Sequence, residues 1–145
     1  MSFLKSLNIS GSGLTAQRLR MDIISENIAN MDTTRTENGG PYRRKLAVLS
    51  SNSESNFKNM LVKNLEDYEI GGVEITEIVE DQSEFKLLYN PEHPDADENG
   101  YVQMPNVDSL KETVDMMEAY RAYQANITAL NTTKQMAVKA LEIGR

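Results

Sequence analysis

The chain has 145 residues, of which 39% are apolar and 6% aromatic, with no tryptophan and no cysteine. That composition is thin for a compact globule but too apolar for a disordered chain, and one ordinary domain is the expectation at this length. A net charge of −7, from 22 acidic against 15 basic residues, argues against general nucleic-acid binding, which needs a concentrated basic surface; the missing cysteines exclude disulfides, thiol catalysis and thiolate metal sites.

The segment Met1 to Asn8 carries a single Lys and no unbroken apolar run. It is not a secretory signal, and no later segment approaches membrane-spanning length, so no direct membrane insertion is expected. Residues 3–31 read as a first helix, in which Leu7, Leu14, Met21 and Ile28 repeat every seven residues and Leu4 and Ile24 widen the stripe. Gly11 and Gly13 weaken it by about 1 kcal/mol each relative to Ala; they mark either a break or the close approach of a neighbouring helix. Asn30 is the expected terminator, because Asn tolerates the left-handed conformation past a helix end. Asn27 and Asn30 share a face, either exposed to water or hydrogen-bonding across to another helix or subunit.

Gly39-Gly40-Pro41 breaks the chain, and 42–50 reads as a strand whose Arg43, Arg44 and Lys45 form the one basic cluster. Those cations are either a solvated strand end or a contact for the acidic surface of a neighbour. Residues 50–56 are a polar loop, and 57–68 are ambiguous: Phe57, Met60, Leu61 and Leu65 have helical spacing, but Gly71-Gly72 follows soon after. Apolar residues from Val73 to Val79 and from Phe85 to Tyr89 alternate with Glu, Thr and Lys, which predicts two strands joined by a turn at Asp81-Gln82-Ser83. A Pro- and acid-rich loop over 90–100 precedes a short strand, 101–104. The middle of the chain is acidic: residues 51–100 hold 13 carboxylates against three lysines.

From Asn106 onward there is no proline and no glycine until Gly144. Met116, Tyr120, Tyr123, Ile127, Leu130, Lys134, Ala137 and Leu141 recur in alternating steps of four and three, the signature of a helix packed along another helix. Its expected span, 109–143, is about 50 Å long at 1.5 Å per residue. Asn106 or Asp108 can cap it, and Ser109-Leu110-Lys111-Glu112 reads as a capping box. The fold class is therefore α+β: long terminal helices forming a coiled-coil-like discontinuous unit from 1–34 and 106–145, around a small β-rich insert at 35–105.

Candidate chemistry is sparse. Asp95 to Gly100 matches the first half of an EF-hand loop, but its twelfth position is Asn106 rather than Glu and no helix precedes it. His93 is the only histidine, too few for a metal or nucleophile site. No cofactor and no catalysis are expected. Tyr120-Arg121-Ala122-Tyr123-Gln124-Ala125-Asn126 places tyrosines, Arg and amides in mid-helix where plain packing favours Leu; the segment is either a core edge or an intersubunit surface.

Leu14-Thr15-Ala16-Gln17-Arg18, continuing through Ser25-Glu26-Asn27-Ile28-Ala29-Asn30-Met31-Asp32-Thr33-Thr34, resembles the N-terminal motif of bacterial flagellar rod and hook proteins. Gly100-Tyr101-Val102-Gln103-Met104-Pro105-Asn106-Val107, Arg121 to Asn126 and Ala140 to Gly144 resemble their C-terminal motif. The short chain, Pro41 to Lys45 and the loop Asn90 to Asp97 point within that family to its proximal-rod members. The resemblance implies a structural subunit of the basal-body rod, the shaft that transmits torque from motor to hook. It implies export through the flagellar type III apparatus without a cleaved signal, and self-assembly into a helical array. Its implied partners are other proximal and distal rod subunits and the basal-body protein next to the export gate. The expected assembly surface comprises Leu7, Leu14, Gln17, Met21, Asn27, Ile28, Asn30, Tyr120, Arg121, Tyr123, Gln124, Asn126, Ile127, Leu130 and Leu141. The competing readings are a calcium-binding module and a coiled-coil regulator.

Overall fold

The computed structural model describes residues 3–37, 39–51 and 71–143; the ambiguous 57–68 segment and the Gly144 stop lie outside them. The fold is α+β. A first helix, α1 (Phe3–Ala29), leads to strands β1 (Lys45–Ser51), β2 (Val73–Glu80), β3 (Lys86–Tyr89) and β4 (Tyr101–Met104), and the chain ends in α2 (Ser109–Ile143).

Helix α1 passes through Gly11 and Gly13 without a break. The reason is tertiary: a Cβ on Gly13 would stand 3.1 Å from the Asn126 side-chain nitrogen, so glycine lets α2 approach closely. The helix does not end on a left-handed Asn30, since no described non-glycine residue has positive φ. Instead the Asn30 amide and its side-chain Nδ2 both donate to the Glu26 carbonyl, at 3.1 and 2.9 Å. Two carbonyl-seeking groups from one residue close the last turn without strain.

The two helices run antiparallel. The hydroxyls of Ser6 and Thr133 lie within 3.5 Å, Gly13 faces Asn126, Arg20 lies 3.8 Å from Asp115, and Asn27 donates to Glu112. The contact stripe on α2 is Glu112, Met116, Ala119, Tyr123, Asn126, Leu130, Thr133 and Ala137, all buried or half-buried. It departs from the expected stripe, because Tyr120, Lys134 and Leu141 are exposed and Ala119, Asn126 and Thr133 take the inward positions. The tyrosine on the stripe is Tyr123 rather than Tyr120, and α1 offers the small residues Gly13 and Ala16 on its facing side.

The strands form two separate antiparallel pairs, β1 with β2 and β3 with β4. The predicted β2–β3 hairpin is thus replaced: the Asp81–Ser83 turn passes the chain from one pair to the other. Asp81 and Ser83 carbonyls accept from Arg43 Nη1 at 3.0 and 3.2 Å, and Asn106 Nδ2 donates to Ser83 Oγ at 2.9 Å. Those anchors take up the groups that a tight hairpin would have paired. In the first pair Lys45 faces Glu80 and Ser51 faces Val73, with a bulge that leaves Thr76 unpaired between Ile75 and Glu77. In the second, Tyr89 faces Tyr101 with the rings edge-on at 5.3 Å.

Candidate assembly surface and the polar knot beneath it

Where α1 ends, β1 begins and α2 starts, a buried polar knot replaces an apolar core. Asn27, Glu112 and Arg44 are 1%, 0% and 7% exposed. The Asn27 carboxamide reads the β1 backbone as a strand would: Oδ1 accepts from the Lys45 amide at 2.9 Å and Nδ2 donates to the Lys45 carbonyl at 2.9 Å. The same side chain accepts from the Tyr42 hydroxyl at 3.0 Å and donates to Glu112 Oε2 at 3.0 Å. Its donor and acceptor capacity is filled. The Asn27 side chain is consumed inside its own chain.

Glu112 stands at the capping-box position but does not cap. Asp108 Oδ1 does that work, accepting from the Leu110 and Lys111 amides at 3.0 and 3.4 Å. Those amides, with lesser help from nearby lysines, hold the Asp108 carboxyl below its usual range. Glu112 turns inward, and its Oε1 accepts from Arg44 Nε at 2.6 Å. Arg44 also lies 3.2 Å from Asp115 and 3.6 Å from Asp81. The Ser83 amide foremost, and then Ser83 Oγ and Arg44, hold the Asp81 carboxyl low. Burial first, then the charges of Glu26, Glu112 and Glu80, push the Tyr42 phenol up to about 12. Each cation of the basic cluster is engaged within its own chain. Arg43 stacks over Phe85 at 4.3 Å, Arg44 is buried, and Lys45 pairs with Glu26.

The sequence signal missed Tyr42, Arg44, Asn106, Glu112 and Asp115. Each has a plausible local role in a turn, strand or cap, and only distant partners reveal the other one. Ser12 was likewise missed: its Oγ donates to the Ile9 carbonyl at 2.8 Å and accepts from the Val73 amide at 3.0 Å, pinning the start of β2 to α1.

The expected surface residues divide into three groups. Leu7, Leu14, Met21 and Ile28 form a half-buried row on α1, one residue along from the Ser6, Gly13, Arg20 and Asn27 row that meets α2. Gln17 is half-buried with its Oε1 shielded and unpartnered among the described residues, and Asn30 closes the α1 terminus. On α2, Tyr123, Asn126, Ile127 and Leu130 are half-buried, whereas Tyr120, Arg121, Gln124 and Leu141 are exposed. Tyr120 and Gln124 pair with each other along the open face, Nε2 donating to the hydroxyl at 2.8 Å.

The outer face of α2 also carries Leu110, Val114 and Met117 at helical spacing, 74%, 43% and 48% exposed. These side chains lie on the side of the helix away from α1. The EF-hand-like loop is a folded turn. Asp97 Oδ1 accepts from the Asn99 and Tyr101 amides at 2.9 and 2.8 Å, Asp95 accepts from Thr34, and His93 Nδ1 accepts from the Asp95 amide. Among the described residues no three carboxylate or histidine side chains converge as metal ligands, and no described helix is long and apolar enough to cross a membrane.

Residues 7–35 match the family described as "Flagella basal body rod protein", and residues 98–143 match "Flagellar basal body rod FlgEFG protein C-terminal". Over its whole length the chain is similar to the flagellar basal-body rod protein FlgC of Bacillus subtilis, at 52% identity covering 100% of both chains. The FlgC proteins of Borreliella burgdorferi (45% identical, 99% of this chain and 98% of that one) and Escherichia coli O157:H7 (40%, 100% of both) are similar in the same way.

Proposed function

Because the chain belongs to the FlgC family of flagellar basal-body rod proteins, we propose that it acts by assembly alone, as a proximal-rod subunit whose paired terminal helices are completed by those of its neighbours. It is a structural component of the basal-body rod and associates with other rod and basal-body proteins. End-to-end similarity at 40–52% identity to FlgC relatives, with both family motifs in order at the two ends, carries this reading. The uncovered Leu110, Val114 and Met117 row, with Tyr120 and Leu141, supports it physically.

In this reading the unit made of 1–34 and 106–145 supplies the shaft and 35–105 decorates it. The rows Leu7, Leu14, Met21, Ile28 and Tyr120, Arg121, Gln124 meet neighbouring rod subunits. The chain leaves the cell through the flagellar type III apparatus, and its lower neighbour is the basal-body protein beside the export gate. The insert is not autonomous, since β1 starts on Asn27 and its charges are balanced by α2.

Deleting the gene is expected to abolish hook assembly and motility, with both restored by the intact gene in trans. A deletion strain that still builds hooks and swims would refute the assignment. Tyr120→Asp and Met117→Asp are expected to leave folding unchanged and to block hook assembly; normal hooks in both would remove the α2 outer face from the proposed surface.

A further inference from the structure

We propose that the Asn27–Arg44–Glu112 knot is the register lock of the antiparallel α1–α2 pair, setting which turn of one helix faces which turn of the other. The inference stands on the fold alone and holds whatever the chain assembles with.

The rest of the helix pair is permissive. Ser6, Gly13, Arg20 and Asn27 recur every seven residues on α1, and Glu112, Ala119, Asn126 and Thr133 recur every seven on α2. Shifting one helix by a heptad, about 10 Å at 1.5 Å per residue, lays one row back on the other. Such a shift would bring Gly13 opposite Ala119 or Thr133, and Ser6 opposite Asn126; no such pairing is forbidden by size. The large buried aliphatic residues of α1, Ile23 and Ile24, lie within about one turn of Asn27, and further along the seam the buried positions are Ala16 and Ala119.

The knot layer has no such tolerance. Asn27 is bound on four sides, two of them to the backbone of Lys45. Arg44 is tied to the α2 end, its amide donating to Asn106 Oδ1 at 2.8 Å and its guanidinium to Glu112, while both backbone groups of the next residue, Lys45, are held by Asn27 of α1; a slide would pull these two neighbours apart. A one-heptad slide puts Ala119 or residue 105 opposite Asn27, parting Asn27 from Glu112 and removing the amide donor of that buried carboxylate. Buried polar layers of this kind add little stability relative to apolar packing, and their best-attested use is to specify register.

The chain has no cysteine, so introduced pairs report register directly. Ser6→Cys/Thr133→Cys reads the native register, in which the two hydroxyls are 3.5 Å apart, and Ser6→Cys/Asn126→Cys reads a one-heptad slide. In the otherwise native chain, oxidised when dilute and scored on the intrachain band, only the first pair closes. In Asn27→Leu/Arg44→Met/Glu112→Leu, helical circular dichroism persists and the slipped pair closes in at least about a tenth of the chains. Closure of the native pair alone in that variant overturns the proposal. Should the triple variant lose its helix, Arg44→Met/Glu112→Leu with Asn27 in place decides by the same two pairs: slipped closure supports the lock, and native closure alone refutes it. Arg44→Met/Glu112→Gln, which keeps the amide bond to Asn27, is expected to hold the native register; slippage there would place the lock in the charge rather than in the knot.

Discussion

Replacing Arg44 with methionine keeps the aliphatic stem and removes the guanidinium. Three contacts disappear with it, to Glu112, Asp115 and Asp81 at 2.6, 3.2 and 3.6 Å. The carboxylates of Asp115 and Asp81 are partly in water, so those two losses are worth about 0–1 kcal/mol each. Glu112 differs, being 0% exposed. Its Oε1 loses its donor while the charge stays inside, and breaking a buried pair this way costs about 3–5 kcal/mol. Against a typical total stability of about 5–15 kcal/mol, that is roughly a fifth or more, and the melting temperature should fall by on the order of 10 °C. Arg44→Met/Glu112→Gln should recover at least half of the deficit, because the neutral amide still accepts from Asn27 and leaves no buried charge. Urea unfolding of the wild type, both single variants and the double variant gives the coupling directly. A loss under about 1 kcal/mol for Arg44→Met, or a double variant no more stable than Arg44→Met alone, would refute the reasoning.

Other expectations follow from the same contacts. The carboxyls of Asp81 and Asp108 are held below 3.8 in the folded chain, so the stability they contribute is present above that pH and lost as pH falls through their folded values. Asp108→Asn, which still caps α2, should flatten part of that acid limb in a melting series taken from pH 5 downward. Tyr42 behaves in the opposite sense: with its phenol raised from 10.0 to about 12, the folded chain keeps a proton that the unfolded chain releases. Stability should therefore decline between those values, and Tyr42→Phe should remove that portion of the decline. Gly13→Ala should gain little alone, because its Cβ crowds Asn126. Combined with Asn126→Ala it should gain about 1 kcal/mol from helix propensity, and strict additivity of the two substitutions in thermal melts would contradict the close approach.

The helices were legible because periodicity and breakers are local. The uninterrupted run after Pro105 predicts 109–143, and α2 spans Ser109–Ile143. Gly39-Gly40-Pro41 and the Pro-rich loop predict where regular structure stops. Strand existence was legible too, whereas strand pairing was not: the alternation in Val73–Glu80 says that one face is covered without saying by which neighbour, and β1 takes the place that β3 was expected to fill. Glu112 shows the limit most sharply. Three residues after Ser109 it has the spacing of a capping box, yet Asp108 already satisfies the first amides, and the freed carboxylate meets a cation 68 residues away in sequence.

The amino-acid order alone determined two long helices at the ends, short strands between them and the family motifs, since each depends on residues within a few turns of one another. Tertiary structure alone decided which side of α2 faces inward, which strands meet and which charges are buried. Those outcomes depend on residues far apart in sequence meeting in space: Gly13 makes room for Asn126 of α2, and Tyr42, Lys45 and Glu112 converge on the buried Asn27.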